Sequence, residues 1–491
     1  DSVNRISALK TATMNFFDTL TTADVGDGRL RFGVVPYSSS ANVGQILYAK
    51  NPDWLSNNVL LPSRTPIFKI TYGNGQTVEN GSSTGSVTYG NWSNVSNVSG
   101  QNSSSCGNLE PPADTTPSPS GSPTVNQTGQ TFDSDGNRVT TNNSSQTYTY
   151  YNYQYTWSSN RCRLQRRVAT YTRTSTTTTT EEPIQAFDNK CRYEDRVFDV
   201  TQAKAGSAIV TDTGDSGTNY SATWGGCVME RETVAFGPTQ TAPAGARDMD
   251  VDSAPTSDDG TKWKVLIPEI AFPRAKNPST SGTTSSLNVS SSSVSSDSTS
   301  GGSWQRYSKY WSSGWGVCPA PSMKLTTMTA SDRSTFNTYI NALQPVGGTY
   351  HDSGMVWGIR LLSPDGMFAD ENAEAPNKRP ISRHIVFMTD GDMSANMGNL
   401  SFQGYEWTMQ RVGGTSDSNL TDRHNNRFLQ LCEKAKAKNI TIWVVGFGTS
   451  LNSQLTTCAT PGKAYEASNA SQLNDNFQAI ARQISKLRLS Q

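Results

Sequence analysis

Charged residues are scarce in this chain. They make up 17% of the 491 residues, and the 41 basic side chains are matched by 41 acidic ones. No overall charge would therefore draw the chain to nucleic acid or to an anionic membrane. The longest apolar run, ITIWVVGF at 440–447, is far shorter than the roughly 20 residues of a membrane-spanning helix. We expect a soluble chain that does not bind nucleic acid.

Histidine and metal-binding cysteine motifs are also scarce. The chain has only three histidines, His351, His384 and His424, and none of its cysteines forms a CxxC pair. A zinc ribbon or a thioredoxin-type site is therefore not expected. The consecutive residues His351, Asp352 and Ser353 do not suggest a catalytic triad, because adjacent side chains diverge on a helix or a strand. We expect a protein that is not an enzyme.

Seven cysteines are spread over a polar chain: Cys106, Cys162, Cys191, Cys227, Cys318, Cys432 and Cys458. Such scatter favours disulfides in an oxidising compartment, which predicts an exported protein. The odd number leaves one thiol unpaired or paired outside the chain. Composition points the same way, because only 34% of the residues are hydrophobic and Ser, Thr, Asn and Gly fill the deficit.

Strand and helix patterns alternate near both ends of the chain. Residues 29–38 and 384–389 read as strands, and 440–447 is apolar on both faces, as a central parallel strand is. Helical patterns cover 353–362 and 422–438, and others open and close the chain. This alternation predicts an α/β fold, with a doubly wound, mostly parallel sheet covered by helices on both sides.

The middle of the chain has a different pattern. Residues 63–263 are rich in Thr, Asn, Ser and Gly and contain strand-like alternation, which predicts a β-rich insertion between a first part, 1–62, and a second part, 264–491. The low-complexity segment 278–303 predicts a Ser-rich surface loop. In YNYQYTW (151–157) the alternate aromatics indicate cross-strand packing rather than a glycan platform. The basic run that follows reads as a solvated strand face.

Two oxygen-bearing side chains follow the predicted strands and turns of the α/β part. Asp390 comes directly after the strand 384–389, and Thr349 follows a glycine turn just before a helix. Ligands of open parallel sheets bind at the carboxyl ends of the strands. A hydroxyl and a carboxylate are ligands for Mg²⁺ or Ca²⁺, with Mn²⁺ as a further candidate. Asp390 alone would read as a turn residue, and Asp392 is expected to be a solvated one.

Several stretches resemble a known family. They include RLRFGVVPYSSSANVG, WGGCVMER, GVCPAP, GGTYHDSGMVWGIRLLSP, IVFMTDGDM and ITIWVVGFG, and they lie within 1–62, 227–273 and 315–491. Together they resemble the von Willebrand factor A (vWA) domain, and more narrowly the TadG-type proteins of bacterial Tad/Flp pilus assembly. The combination of GGT, GMVWGIRLLSP and FMTDG is the specific part of this resemblance.

The resemblance implies a metal-ion-dependent adhesion site. Thr349 and Asp390 fit two of its three loops, whereas the Asp-x-Ser-x-Ser motif of the third is absent. That motif belongs just before the first helix, on the central strand of the sheet. A sheet without that strand would leave the backbone groups of its neighbours unpaired. We therefore expect either that the given chain is truncated upstream or that another segment fills the gap. Any membrane anchor would belong to the same upstream piece.

The resemblance also implies a function. We expect a non-enzymatic binding or adhesion protein of a bacterial pilus or surface assembly, located in the periplasm, at the cell surface or on the pilus. Its metal would accept a carboxylate from a protein partner, although the metal site could be empty. Two alternatives stay open: a metal-dependent hydrolase using Asp390 and Asp392, and a structural pilus subunit with a vestigial site.

Two disulfide pairs are expected in the family-like stretches. Cys432 and Cys458 flank the strand 440–447, and an exported protein would oxidise them. Cys227 and Cys318 lie in the stretches on either side of 264–315. Within the insertion, two of Cys106, Cys162 and Cys191 are expected to pair.

Overall fold

A computed structural model describes residues 2–23, 28–214, 217–272, 287–288 and 317–489. The chain forms two compact units, one of residues 1–67 and 187–491 and the other of residues 68–186. Residues 187–263, which we assigned to the insertion, are part of the first unit. The predicted Ser-rich loop 278–303 lies outside the described residues, apart from 287–288.

The helices are mostly short. They are α1 Ser2–Thr22, α2 Gly44–Lys50, α3 Ser103–Gly107, α4 Thr201–Lys204, α5 Arg333–Ala342, α6 His351–Leu362, α7 Ala369–Asn372, α8 Glu406–Met409, α9 Asp417–Ala437, α10 Ser453–Cys458 and α11 Ala470–Leu489. In the described part of the chain, no helix is long and apolar enough to span a membrane.

The strands include several very long ones. They are β1 Arg31–Val34, β2 Asn58–Tyr72, β3 Gln76–Thr84, β4 Thr88–Tyr89, β5 Ser93–Val98, β6 Ser118–Phe132, β7 Arg138–Ser158, β8 Arg161–Glu181, β9 Pro183–Asp199, β10 Ile209–Thr211, β11 Tyr220–Ala222, β12 Val228–Met229, β13 Lys264–Val265, β14 Leu287–Asn288, β15 Met323–Thr327, β16 Arg383–Thr389, β17 Leu400–Ser401, β18 Gly404–Tyr405, β19 Ile440–Phe447 and β20 Ala464–Ala467.

A three-stranded parallel sheet in the order β16-β19-β20 organises the first unit. Helices cover both faces of this sheet. Successive residues of a strand point to opposite faces, so alternate residues of β19 pack against different helices. Ile442 and Val444 of β19 pack in a core with residues of α6 and α9. Trp443 and Val445 pack in another with residues of α1 and α11.

The expected doubly wound, mostly parallel sheet is not confirmed. The structure is a mixture of helices and strands with several sheets, and most of these sheets are antiparallel. β1, which we predicted within 29–38, pairs antiparallel with β15. Sequence periodicity identifies strands but does not show which strands pair. In the described residues, β16 and β19, and β19 and β20, form parallel pairs.

Buried ion pairs join the segment around β12 to helices of the first unit. Arg360 on α6 donates to both carboxylate oxygens of Glu230, at 2.6 and 3.1 Å. Arg427 on α9 donates to Asp248 at 2.9 Å. All four side chains are almost completely inaccessible to solvent. These contacts explain why residues 187–263 belong to the first unit.

The second unit is a six-stranded antiparallel sheet in which β3, β4 and β5 pair with β8, and β8, β7 and β6 follow in order. β7 and β8 pair along their whole length, from Arg138–Glu181 to Ser158–Arg161. Ser159 and Asn160 connect β7 to β8 with φ of 53° and 55°. A two-residue hairpin turn of type I′ requires this left-handed conformation at both of its central residues. The second unit has few buried hydrophobic residues: Cys106, Cys162 and Ala169.

The described part of the chain contains three disulfides. Both pairs expected in the family-like stretches are present, Cys227–Cys318 and Cys432–Cys458, with Cα–Cα distances of 5.6 and 5.2 Å. The pair in the second unit is Cys106–Cys162.

Candidate functional site

Asp390 lies at the carboxyl end of β16, as the sequence predicts. The turn that presents it is held by Thr389, whose hydroxyl donates to the carbonyl of Gly391 at 2.9 Å and accepts from the Gly391 N–H at 3.3 Å. The Asp390 side chain is 49% exposed. Asp390 is therefore held in a defined backbone turn with a carboxylate accessible to solvent.

Thr349 lies in the turn before α6, and backbone contacts join this turn to the loop after Asp390. The N–H of Ser394 donates to the carbonyl of Thr349 at 2.9 Å. The N–H of Gly348 donates to the Ser39 hydroxyl, also at 2.9 Å. Gly347 has a φ of 73°, which favours glycine at this position of the turn. Thr349 and Asp390 both line one cavity.

That cavity is a groove of about 1120 Å³ between β1 and β16. β1 pairs only with β15 and β16 only with β19, so among the described residues no strand occupies the two edges that face the groove. The walls are largely apolar and include Ile6, Leu9, Phe16, Phe32, Ile385 and Phe477. Five of the seven β16 residues are only half-buried, whereas β19 is buried at all but one position.

Along these two edges, backbone N–H and C=O groups that face no other strand favour pairing with a further strand. One of them already has a side-chain partner, because the Met388 carbonyl of β16 accepts from the Tyr37 hydroxyl at 3.2 Å. Apolar walls above and below the sheet plane suit side chains that alternate between the two faces of such a strand. An extended segment parallel to β16 would end beside Thr389 and Asp390.

Arg5, in the first turns of α1, is a site residue that the sequence did not reveal. Its guanidinium donates to the Asp390 carbonyl at 3.2 Å and lies 3.5 Å from the Asp390 carboxylate. With exposed fractions of 37% and 49%, such an ion pair contributes little to stability. No local sequence signal could have revealed it, because Arg5 and Asp390 are 385 positions apart in the chain.

The described residues do not by themselves form a divalent-metal site. They contain no group of three or more His, Cys, Asp or Glu side chains able to hold an ion. Thr349 and Asp390 supply two oxygens, whereas Mg²⁺ and Ca²⁺ require about six ligands. The cationic Arg5 already lies beside one of these oxygens. Asp392 is exposed and accepts a hydrogen bond from Asn452 at 2.6 Å.

The histidines near the site have structural partners. His351 Nε2 lies 3.1 Å from the Thr389 hydroxyl, and burial lowers the pKa of His351 to about 4, so the ring is neutral at neutral pH. His424 Nδ1 lies 2.6 Å from Asp352 Oδ2, with both side chains buried. The Ser353 hydroxyl is buried and has no hydrogen-bond partner among the described residues. The His351-Asp352-Ser353 sequence therefore forms no triad.

No protein-family model and no curated protein matches this chain. Among solved structures, the pilus adhesin SpaC from Lactobacillus rhamnosus GG, in its open conformation, is similar at 17% identity, over 34% of this chain and 22% of that one, with a TM-score of 0.24. Proximal thread matrix protein 1 from the mussel byssus, with a zinc-occupied MIDAS motif, is similar at 14% identity over 35% and 34%, with a TM-score of 0.19. These matches span about a third or less of those chains, and scores this low carry no argument about fold or function.

Proposed function

We propose that this protein is a non-enzymatic binding protein of a bacterial pilus or cell-surface assembly, exported to an oxidising compartment. Three disulfides support the export. The resemblance to vWA domains and to TadG-type proteins supports a role in adhesion or assembly, with other proteins as partners.

One observation carries the proposal: Thr349 and Asp390 line the same groove, which is bordered by two strand edges that no strand occupies among the described residues. A strand that enters the groove parallel to β16 would pair with these edges and end at the exposed Asp390 carboxylate. Hydroxyl or carboxylate side chains just beyond its end would then add oxygens to the two already present. Strand addition of this kind is a general mode of recognition, in which the backbone gives affinity and side-chain pockets give specificity.

In this proposal, a divalent cation such as Mg²⁺, Ca²⁺ or Mn²⁺ would link the completed oxygen set to a partner carboxylate. Asp390 and Thr349 would bind it, and Arg5 would have to release the Asp390 carboxylate first. The defined turn at Thr389 and Gly391 supports this role, because a fixed backbone holds the carboxylate in place.

A second candidate is a structural subunit that binds no metal. The Arg5–Asp390 contact favours it, because a guanidinium already neutralises the carboxylate that the cation would use. No comparable observation favours the hydrolase: Asp392 is hydrogen-bonded to Asn452, and both His351 and His424 contact buried structural partners.

Calorimetric titration of Mg²⁺ and Ca²⁺ tests the proposal. The chain would be titrated alone and with a segment of about seven apolar residues followed by Asp-x-Ser-x-Ser, joined before Asp1 or added as a peptide. We expect weak or no binding without the segment and clear binding with it. Asp390→Ala should abolish this binding, and the matched control Asp392→Ala should retain it. Equal binding after Asp390→Ala would refute the metal site, and no binding in any form would favour the structural subunit.

A further inference from the structure

Three arginines on one face of the second unit have no acidic partner. Alternate residues of a strand point to the same face, so Arg161, Arg163 and Arg167 of β8 share one face. In the described part of the chain, none of them forms an ion pair. Arg173 lies on the same face of β8 and pairs with Glu79 at 2.6 Å. We call the surface around Arg161, Arg163 and Arg167 the arginine face.

Aromatic rings hold one of these guanidinium groups in place. The guanidinium carbon of Arg167 lies 3.7 Å from the centre of the Tyr89 ring and 4.7 Å from that of Trp92. Such stacking attracts the cation but supplies no hydrogen-bond acceptor. The Nε atoms of Arg163 and Arg167 are buried and have no hydrogen-bond partner among the described residues, so only the outer N–H groups of these guanidinium groups can reach a ligand. Stacking holds the Arg167 guanidinium in place, and these outer N–H groups form no hydrogen bond within the described part of the chain.

Amide side chains continue this surface across three strands. Gln154 Nε2 of β7 donates to Gln165 of β8 at 3.1 Å, and Gln165 Nε2 donates to Asn94 of β5 at 2.9 Å. The cross-strand register places these three residues on the arginine face, because Gln154 and Asn94 are both opposite Gln165. Each amide retains donor or acceptor capacity beyond these two bonds.

The opposite face of β8 is tied to another segment. Cys162, between Arg161 and Arg163, points to that face and is bonded to Cys106 of α3. Both sulfur-bearing side chains are buried, so α3 covers that end of the opposite face. Arg166 lies on the opposite face, is exposed, and has its guanidinium carbon 4.6 Å from the centre of the Tyr151 ring. The arginine face differs in bringing three arginines together beside partly accessible amides.

We propose that the arginine face binds an acidic polysaccharide, a sugar chain that carries carboxylate groups. A guanidinium binds a carboxylate with two parallel hydrogen bonds. The faces of Tyr89 and Trp92 that Arg167 does not cover can stack on the apolar faces of sugar rings, and the amides of Gln154 and Gln165 can bond to hydroxyl groups. The disulfides indicate an exported protein, which meets extracellular polysaccharide rather than nucleic acid.

The charge of this unit supports the same choice. Arg138 and Arg173 are neutralised by Glu181 and Glu79 at 2.7 and 2.6 Å, so the free positive charge is confined to one end of β8. A phosphate backbone favours an extended basic surface that neutralises many charges. Three arginines beside neutral amides suit a more sparsely charged chain that also presents hydroxyl groups. This binding needs neither the groove nor a metal.

Binding of the intact protein to polygalacturonate, measured by calorimetry at physiological salt, tests the proposal. The variant Arg163→Gln/Arg167→Gln should bind at least about tenfold more weakly, since it loses charge-assisted hydrogen bonds to the carboxylates. The matched control Arg173→Gln, which changes an ion-paired arginine of the same strand and face, should bind like the wild type. Circular dichroism should show that both variants remain folded.

Several results would overturn the proposal. These are equal binding of neutral dextran, equal losses in Arg173→Gln and the double variant, no binding of polygalacturonate, or tighter binding of poly-dT than of polygalacturonate. If the double variant does not fold, Arg161→Gln takes its place, with a loss of affinity still required. Asp390→Ala and EDTA should leave polygalacturonate binding unchanged, which separates this site from the proposed metal site.

Discussion

The guanidinium of Arg5 lies 3.5 Å from the carboxylate of Asp390, so a cation of the protein itself stands at the carboxyl end of β16. Both side chains are partly exposed, and such pairs contribute at most about 1 kcal/mol to stability. Because this contact is weak, a divalent cation bound by several oxygen ligands could displace the Arg5 guanidinium from the Asp390 carboxylate.

Replacing Arg5 by Ala should therefore affect binding more than stability. In the presence of the Asp-x-Ser-x-Ser segment, we expect Arg5→Ala to raise the affinity for Mg²⁺ and Ca²⁺ several-fold, because no guanidinium competes for Asp390. Its free energy of unfolding should change by less than about 1 kcal/mol. Lys378→Ala, which breaks an exposed pair with Glu374 on a different loop, controls for the loss of one positive charge. A fall in metal affinity would show that Arg5 supports the site.

The Cys432–Cys458 disulfide should stabilise the parallel sheet. Its two cysteines are separated by 26 residues and lie on α9 and α10, which flank β19. Closing a loop of this length restricts the unfolded chain by about 3 kcal/mol in the loop-entropy view. Cys432→Ser/Cys458→Ser should lower the free energy of unfolding in urea by about that amount. Peptide mapping without reduction should recover the linked peptides, and two free thiols would contradict the export of the protein.

The buried pair of Glu230 and Arg360 should be far more sensitive to mutation than exposed pairs. Glu230→Ala would leave the buried guanidinium of Arg360 without its carboxylate partner. Removing one partner of a buried ion pair costs about 3–5 kcal/mol of stability. The same change at Glu374, whose partner Lys378 is exposed, should cost less than about 1 kcal/mol. Urea unfolding followed by fluorescence measures both. Equal losses would mean that the segment around Glu230 is not held by this pair.

Some elements could be predicted from the sequence because their signals are local. β19 has the bounds of its apolar run, 440–447, since a strand buried on both faces needs no alternation to be recognised. Asp390 and Thr349 were predicted because strand ends and glycine turns are visible in a short window. Their shared groove follows from the order of strands and helices.

Other features depend on contacts between distant residues and leave no local signal. Arg5 and Asp390 are 385 residues apart, and Glu230 and Arg360 are 130 apart. The basic run 161–173 gave no indication that Arg173 is neutralised by Glu79 while Arg163 and Arg167 have no acidic partner in the described residues, because that depends on which strands pair with β8. The antiparallel pairing of β1 was missed for the same reason.

Hydrogen exchange in β16 most directly tests the central claim, that the groove beside Asp390 accepts an extended strand. In a parallel strand, backbone groups point alternately to its two neighbours. In the free chain, the β16 amides that face the groove should exchange fast, while those bonded to β19 are protected. β19 is paired on both edges, so its amides should be protected whether they point to β16 or to β20.

Adding a peptide of about seven apolar residues followed by Asp-x-Ser-x-Ser should then slow the groove-facing amides of β16 and leave β19 unchanged. The exchange is followed residue by residue by NMR or mass spectrometry, with a polar peptide of the same length as the control. Uniform protection of β16 in the free chain, or fast-exchanging β16 amides that the peptide does not slow, would contradict the account.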